Sequence, residues 1–151
     1  MKSIKLKIVT LEKVVSSDTV SQVSLDTKMG QITILPNHLP LVAELVPGEI
    51  IVKKSTKGGE TEEWMAVSGG FVEVLPDAVV ILADTAEYAA EIDQARAEEA
   101  RAKAEKLLKE KMVDSKEYAY VAAKLQKELA RLRVVRKRKN KFSAVSADSL
   151  K

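Results

Sequence analysis

Side chains equipped for catalysis are sparse in this chain. His38 is the single histidine, set between Asn37 and Leu39-Pro40, and there is no cysteine. One imidazole cannot build a histidine metal site, and no Ser-His-Asp arrangement can be assembled around it. Without cysteine there is no disulfide, thiolate metal site or thiol nucleophile, which accords with a reducing compartment. No glycine-rich loop ending in Lys-Ser or Lys-Thr is present to cradle phosphates during hydrolysis. Lys57-Gly58-Gly59 and Gly69-Gly70 read as hairpin turns, and His38 as a structural or interface residue. No catalytic residue and no metal ligand is assigned.

Charge is the other candidate carrier of function. Residues 131–141 hold Arg131, Arg133, Arg136, Lys137, Arg138, Lys139 and Lys141 with no acid. The stretch carries +7 in a chain whose net charge is +3, so the remainder carries −4. Such a run can serve a nucleic acid, an anionic membrane or an acidic protein surface; it can equally be a solvated helix end. A nucleic-acid-binding module is therefore the alternative reading. It lacks interleaved aromatic residues, since only Phe142 falls near the run.

These residues must be positioned by two differently composed halves. All six glycines and all four prolines precede residue 77; beyond it Ala, Glu, Lys, Arg and Leu dominate. Ile4, Leu6 and Ile8 alternate with Lys5 and Lys7, the period of a half-buried strand. Similar short segments at 19–27, 31–35, 48–54, 61–67, 71–74 and 78–83 are separated by Gly- and Pro-containing turns. That spacing predicts an all-β sandwich of antiparallel strands.

The second half predicts an antiparallel helical hairpin. Asp93 is a candidate N-cap for a helix reaching about Met112, with Ala97, Ala100, Ala104 and Leu107 on its inner stripe. After a break at Val113-Asp114-Ser115, Tyr118, Val121, Leu125, Leu129, Leu132 and Val135 follow at three- and four-residue steps. Asp114 and Glu117 have capping-box spacing. A seam this narrow predicts a hairpin that detaches at modest cost.

With 46% hydrophobic and 31% charged residues the chain has a globular composition. The apolar run at 78–83 is too short to span a bilayer, and residues 1–7 lack the apolar core of a signal peptide. Any membrane link is expected to come through a partner.

Ordered along the chain are four stretches that together resemble one family. They are Met29-Gly30-Gln31-Ile32-Thr33-Ile34-Leu35-Pro36-Asn37-His38-Leu39-Pro40-Leu41, Ser68-Gly69-Gly70-Phe71-Val72-Glu73-Val74, Glu91-Ile92-Asp93-Gln94-Ala95-Arg96-Ala97, and Ala130-Arg131-Leu132-Arg133-Val134. This set, spanning roughly residues 3–135, resembles the epsilon subunits of F-type ATP synthases.

The resemblance implies a sandwich of about ten strands over residues 1–86, a regulatory hairpin over 87–140 and a flexible tail over 141–151. It implies a non-catalytic rotor component that joins the gamma subunit to the ring of c subunits, at the cytoplasmic face of a bacterial inner membrane. Gln31 and His38 fall in the region that the family turns toward its ring and stalk partners. Gln31 is neutral where the family places a polar or acidic residue. Extended, the family's second helix enters the alpha/beta catalytic head and blocks ATP hydrolysis, which would set Arg131, Arg133 and Arg136 against acidic segments of beta. Folded, the hairpin of several bacterial relatives binds ATP without hydrolysing it. The corresponding residues here are Glu87, Asp93, Arg96, Lys103, Lys127 and Arg131. Lys103 and Lys127 stand where ATP-binding relatives carry arginine, which keeps the charge and loses the bidentate fork. No cofactor is required, regulatory ATP being the one ligand implied.

Overall fold

The computed structural model describes residues 2–110 and 114–148. Alternation at the start has its expected consequence. Strand β1 (Ile4–Val9) turns Ile4, Leu6 and Ile8 into the core and exposes Lys5 and Lys7. It is followed by β2 (Val14–Val20), β3 (Gln22–Thr27), β4 (Gly30–Ile34), β5 (Leu41–Thr56), β6 (Gly59–Val67), β7 (Gly70–Val74), β8 (Ala78–Ala83) and β9 (Ala86–Tyr88). Nine strands are thus present among the described residues. All their pairings are antiparallel except β1 with β8.

Strands β2, from Val14, and β9 lie outside the sequence expectation, and two further boundaries differ for a local reason. The segment 19–27 is divided at Ser21, whose N–H and hydroxyl both donate to the Lys53 carbonyl, at 2.8 and 3.0 Å. The strand expected from residue 48 begins at Leu41 instead. Pro47-Gly48 does not end it but marks where one long strand passes between layers. Leu41 to Leu45 pair with β7, whereas Gly48 to Thr56 pair with β6. Glycine is required there, because a Cβ on Gly48 would lie 2.5 Å from Asp26 Oδ2. Gly70 is constrained more severely. Its φ is +133°, and a Cβ would meet the Leu82 carbonyl oxygen at 2.1 Å.

The strands enclose an aliphatic core of Leu6, Ile8, Val23, Leu25, Ile50, Met65, Val72 and Ile81, all buried, with no charged side chain in the cluster. A second, smaller cluster lies outside it. Trp64, Ala66, Ala89 and Ile92 there meet Ala97, Val134 and Val135 from the helices.

Helix α1 (Gln94–Glu110) starts as expected, with the Arg96 N–H donating to Asp93 Oδ1 at 3.1 Å. Ala97 and Ala104 of the expected stripe are buried, Ala100 is half-buried and Leu107 is largely exposed. Helix α2 (Ser115–Asp148) packs back along α1 and then over β5 and β6. Met112 and Val113 lie outside the described residues. Helical structure continues past residue 140 into the segment read as a tail. Among the described side chains of α2, Glu128, Ala130, Val134 and Val135 are buried, while Tyr118 is exposed. The seam read from spacing is displaced because the C-terminal half of α2 faces the sheet rather than α1. Among the described residues no helix is long and apolar enough to cross a membrane.

Candidate functional site

A cleft of about 680 Å³ lies between the two helices and β9. Glu87 reaches it from β9, Glu91 and Asp93 from the loop before α1, and Arg96, Glu99 and Lys103 from α1. Tyr120, Lys124 and Arg131 close it from α2. Arg96 and Lys103 are seven residues apart, as are Lys124 and Arg131. Two helical turns therefore set each pair of cations along one wall.

The cleft thus gathers Glu87, Asp93, Arg96, Lys103 and Arg131 from the residues singled out in the sequence. Lys127 is not among its lining residues. It borders the neighbouring depression beside Thr10–Lys13 and Asp84–Glu87. Three residues beyond Lys124 it is rotated by roughly 60° about the helix, which turns it to the β1–β2 loop. Lys124 and Tyr120 take the place in the cleft that sequence reasoning left unassigned. The signal that finds Lys124 is its two-turn spacing from Arg131, which mirrors Arg96 and Lys103.

Lining charges are balanced, four carboxylates against four cations, but the cations are not equivalent. Arg131 is largely buried and engaged on both sides. Its Nη1 donates to Glu128 Oε2 at 2.8 Å and its Nη2 to Glu87 Oε1 at 3.3 Å. Its Nε lies 2.7 Å from Glu87 Oε2, close but off the N–H axis. Burial opposes the guanidinium charge, and the bonds to Glu128 and Glu87 outweigh it, holding its pKa above the ordinary arginine value. Lys103 pairs with Glu99 at 2.6 Å on the exposed helix face, and that hydrogen bond lowers the Glu99 pKa. Arg96 and Lys124 make no ion pair among the described residues. They are the cations available to an incoming anion. The lining therefore offers both anionic and cationic partners to a ligand.

The basic run faces two ways. Arg131, Lys137 and Lys141 turn inward to Glu87, Glu49 and Glu62, and Lys139 bonds Gln94. Lys141 also lies over the Trp64 ring at 5.0 Å. Arg133 and Arg136 are exposed and unpaired among the described residues.

Gln31 is the second residue of β4, and His38 lies in the loop that follows the strand. Gln31 is exposed, with its amide donating to Asp26 Oδ1 at 3.2 Å. The His38 ring is half-buried, Nδ1 lying 2.8 Å from the Leu39 carbonyl oxygen. Around them Met29, Leu35 and Leu39 expose apolar side chains. A separate apolar stripe runs across the sheet's outer face. Phe71 pairs with Leu82, Leu82 with Val9 and Val9 with Val14. Phe71, Leu82 and Val14 are each more than half exposed.

This division into sandwich and hairpin coincides with two family models. Residues 3–89 match the beta-sandwich domain of the ATP synthase delta/epsilon chain, and residues 90–136 match its long alpha-helix domain. The chain belongs to the ATP synthase delta/epsilon chain family. An ATP synthase epsilon chain from Chloroflexus aggregans is 51% identical over 138 residues, covering 91% of this chain and 96% of that one. The epsilon chain of Herpetosiphon aurantiacus is 44% identical over 138 residues, 91% of this chain and 98% of its own. A chain in the Euglena gracilis mitochondrial ATP synthase, solved as OSCP, F1 and c-ring, shares the fold. The TM-score is 0.74 at 22% identity, over 86% of this chain and 79% of that one. Membership of the delta/epsilon family matches what the four ordered stretches imply, and it spans both halves of the chain.

Proposed function

We propose that this chain is the epsilon-type central-stalk subunit of an F-type ATP synthase, a rotor component that couples gamma to the c-ring and catalyses nothing itself. It works at the cytoplasmic face of a bacterial inner membrane, held there by its complex. The sandwich supplies the assembly surfaces: the Phe71–Leu82–Val9–Val14 stripe suits an apolar stalk surface, and the Met29, Leu35 and Leu39 tips with Gln31 and His38 suit the ring. Exposed apolar surface of this kind marks association sites.

The hairpin is the regulatory part. Extended, it would carry Arg133 and Arg136, together with a released Arg131, to the acidic surface of the catalytic head and inhibit hydrolysis. The observation that carries this reading is the seat of α2. It rests on a small apolar cluster around Trp64 and on ion pairs over the sheet, an attachment separate from the aliphatic core. Truncation after residue 88 keeps β9 and the core, so assembly is expected to persist while ATPase activity of the complex rises. Unchanged activity in a correctly assembled truncated complex would sink the inhibitory reading. Nucleic-acid binding is disfavoured because the inward cations of the basic run are committed to the chain's own carboxylates.

Folded, the cleft takes ATP as a regulatory ligand. Arg96 and Lys124 meet phosphate oxygens, Tyr120 offers a ring face, and Glu91 or Asp93 accepts from amino or hydroxyl groups. A ligand that binds only the folded hairpin stabilises it by RT ln(1 + [ATP]/Kd), about 1.4 kcal/mol at ten times Kd. That biases a balanced switch without overriding a strongly tilted one. Backbone NMR of the labelled chain during an ATP titration tests this. Saturable shifts confined to residues 87–131 and lost in Arg96→Ala are expected; their absence at millimolar ATP would refute the site.

A further inference from the structure

The cation–carboxylate rungs that seat α2 on the sheet differ in burial. Pairing across β5, β6 and β9 places Glu49 opposite Ala66 and Ala66 opposite Glu87, so two carboxylates flank one methyl group beneath the helix. Arg131 meets Glu87, Lys137 meets Glu49, and Lys141 meets Glu62 toward the rim. The middle rung is the unusual one. Glu49 is only 2% exposed, and while Lys137 Nζ engages Oε1, Oε2 has no hydrogen-bond partner. The Lys137 side chain is 48% exposed and reaches over the carboxylate from the edge.

Glu49 cannot easily withdraw from this position. Its N–H donates to Asp26 Oδ2 at 3.1 Å, and the adjoining Gly48 is pressed against that same side chain. A half-satisfied carboxylate is thus held under α2 by the backbone, in a place where an apolar residue would extend the Trp64–Ala66–Val134 cluster. Burial of a charge is costly unless it is paired, and replacing a buried pair with apolar groups is often neutral or stabilising.

We infer that Glu49 is a release element: it weakens the seat of α2, is tolerated there only while Lys137 neutralises it, and is rehydrated when the helix lifts. The folded hairpin is thereby set close to balance instead of being locked down by apolar contact. The consequence for hydrolysis rests on the inhibitory reading above, but the docking effect stands apart from it and is measurable in the isolated full-length chain.

Trp64, the chain's one tryptophan, lies under α2 and reports docking by its emission. Amide exchange at Val134 and Val135 reports the same event, and exchange at Met65 and Ile81 reports the sandwich. Lys137→Met is expected to shift the docking equilibrium toward the detached form by roughly tenfold, with core exchange unchanged. Glu49→Met alone, and Glu49→Met with Lys137→Met, are expected to dock at least as tightly as the parent. Lys141→Met, on the rim, is expected to change docking by less than about threefold. Unaltered docking in Lys137→Met, failure of Glu49→Met to restore it, or loss of core protection in Lys137→Met would each overturn the proposal. In the assembled synthase, a Glu49→Met hairpin that docks more tightly yet leaves ATPase activity unchanged would refute the inhibitory reading and not the release element.

Discussion

The sandwich interior and the seat of α2 are both buried, and they are held together differently. Inside the sandwich, Ile8, Leu25, Ile50 and Ile81 interlock with no charged side chain in the cluster. Under α2 the apolar contact is smaller, made by Ala66, Ala89, Ile92, Ala97 and two valines around one tryptophan with Ile51 and Leu132 at its edge, and carboxylates complete it. Aliphatic burial is non-directional and is lost only by unfolding, whereas paired charges regain water as soon as their partner leaves. One region suits a permanent platform, and the other suits an element that comes off.

The comparison breaks most visibly if the core is opened. Ile81→Ala, with its side chain fully enclosed and Ile8 and Val72 as its partners on the flanking strands, is expected to cost about 3 kcal/mol of global stability in denaturant unfolding. A loss confined to α2 amide exchange would show that the two regions are not distinct. Next in size is Arg131→Met, which strands Glu128 and Glu87 without their cation. A loss of about 2 kcal/mol in α2 protection is expected, with the core transition unmoved. Equal losses in both would merge the two regions into one cooperative unit.

A smaller effect separates the regions by pH. The Lys54 hydrogen bond, helped by Ser16, holds the Asp18 carboxyl below its ordinary value, and Lys54 also pairs with Glu63 on β6. A depressed pKa in the fold contributes stability that is present above the unfolded value and lost as pH falls through the lowered one. Asp18→Asn should remove that acid-side dependence from the unfolding of the sandwich. The pair is partly exposed, so the effect is expected to stay under about 1 kcal/mol. An identical pH profile in the variant would show that Asp18 does not contribute. Smallest of all is Lys103→Ala, which removes an exposed helix pair with Glu99 and is expected to leave the thermal midpoint almost unchanged. Its ATP response in the NMR titration would then report the cleft alone.

Much of the cleft was legible from spacing and family resemblance, and the exceptions are instructive. Asp93 was readable as a cap because a cap is local, whereas Arg96 was singled out by the family resemblance. Lys127 and Lys124 differ only in which side of α2 they occupy, and that depends on how the helix rolls against its neighbours. The same roll buries Ala130 and Val134 and leaves Leu129 half-buried, while Leu132 and Val135 of the expected seam do pack on the Trp64 cluster. Strand β9 escaped notice because three residues carry no periodicity, yet it delivers Glu87 to the cleft.

By itself, the sequence determined the sandwich, the hairpin, their junction and the family, since alternation, turn residues, helix propensity and ordered motifs all act over short distances along the chain. Tertiary structure alone decided which cations of the basic run turn inward. Glu49 and Lys137 are 88 residues apart, and nothing local to either marks it as a partner. Their meeting depends on β5 crossing between layers at Pro47-Gly48 and on α2 lying over the outer face of β6. Burial of a charge is a property of everything packed around it, and the sequence near Glu49 carries no record of what will cover it.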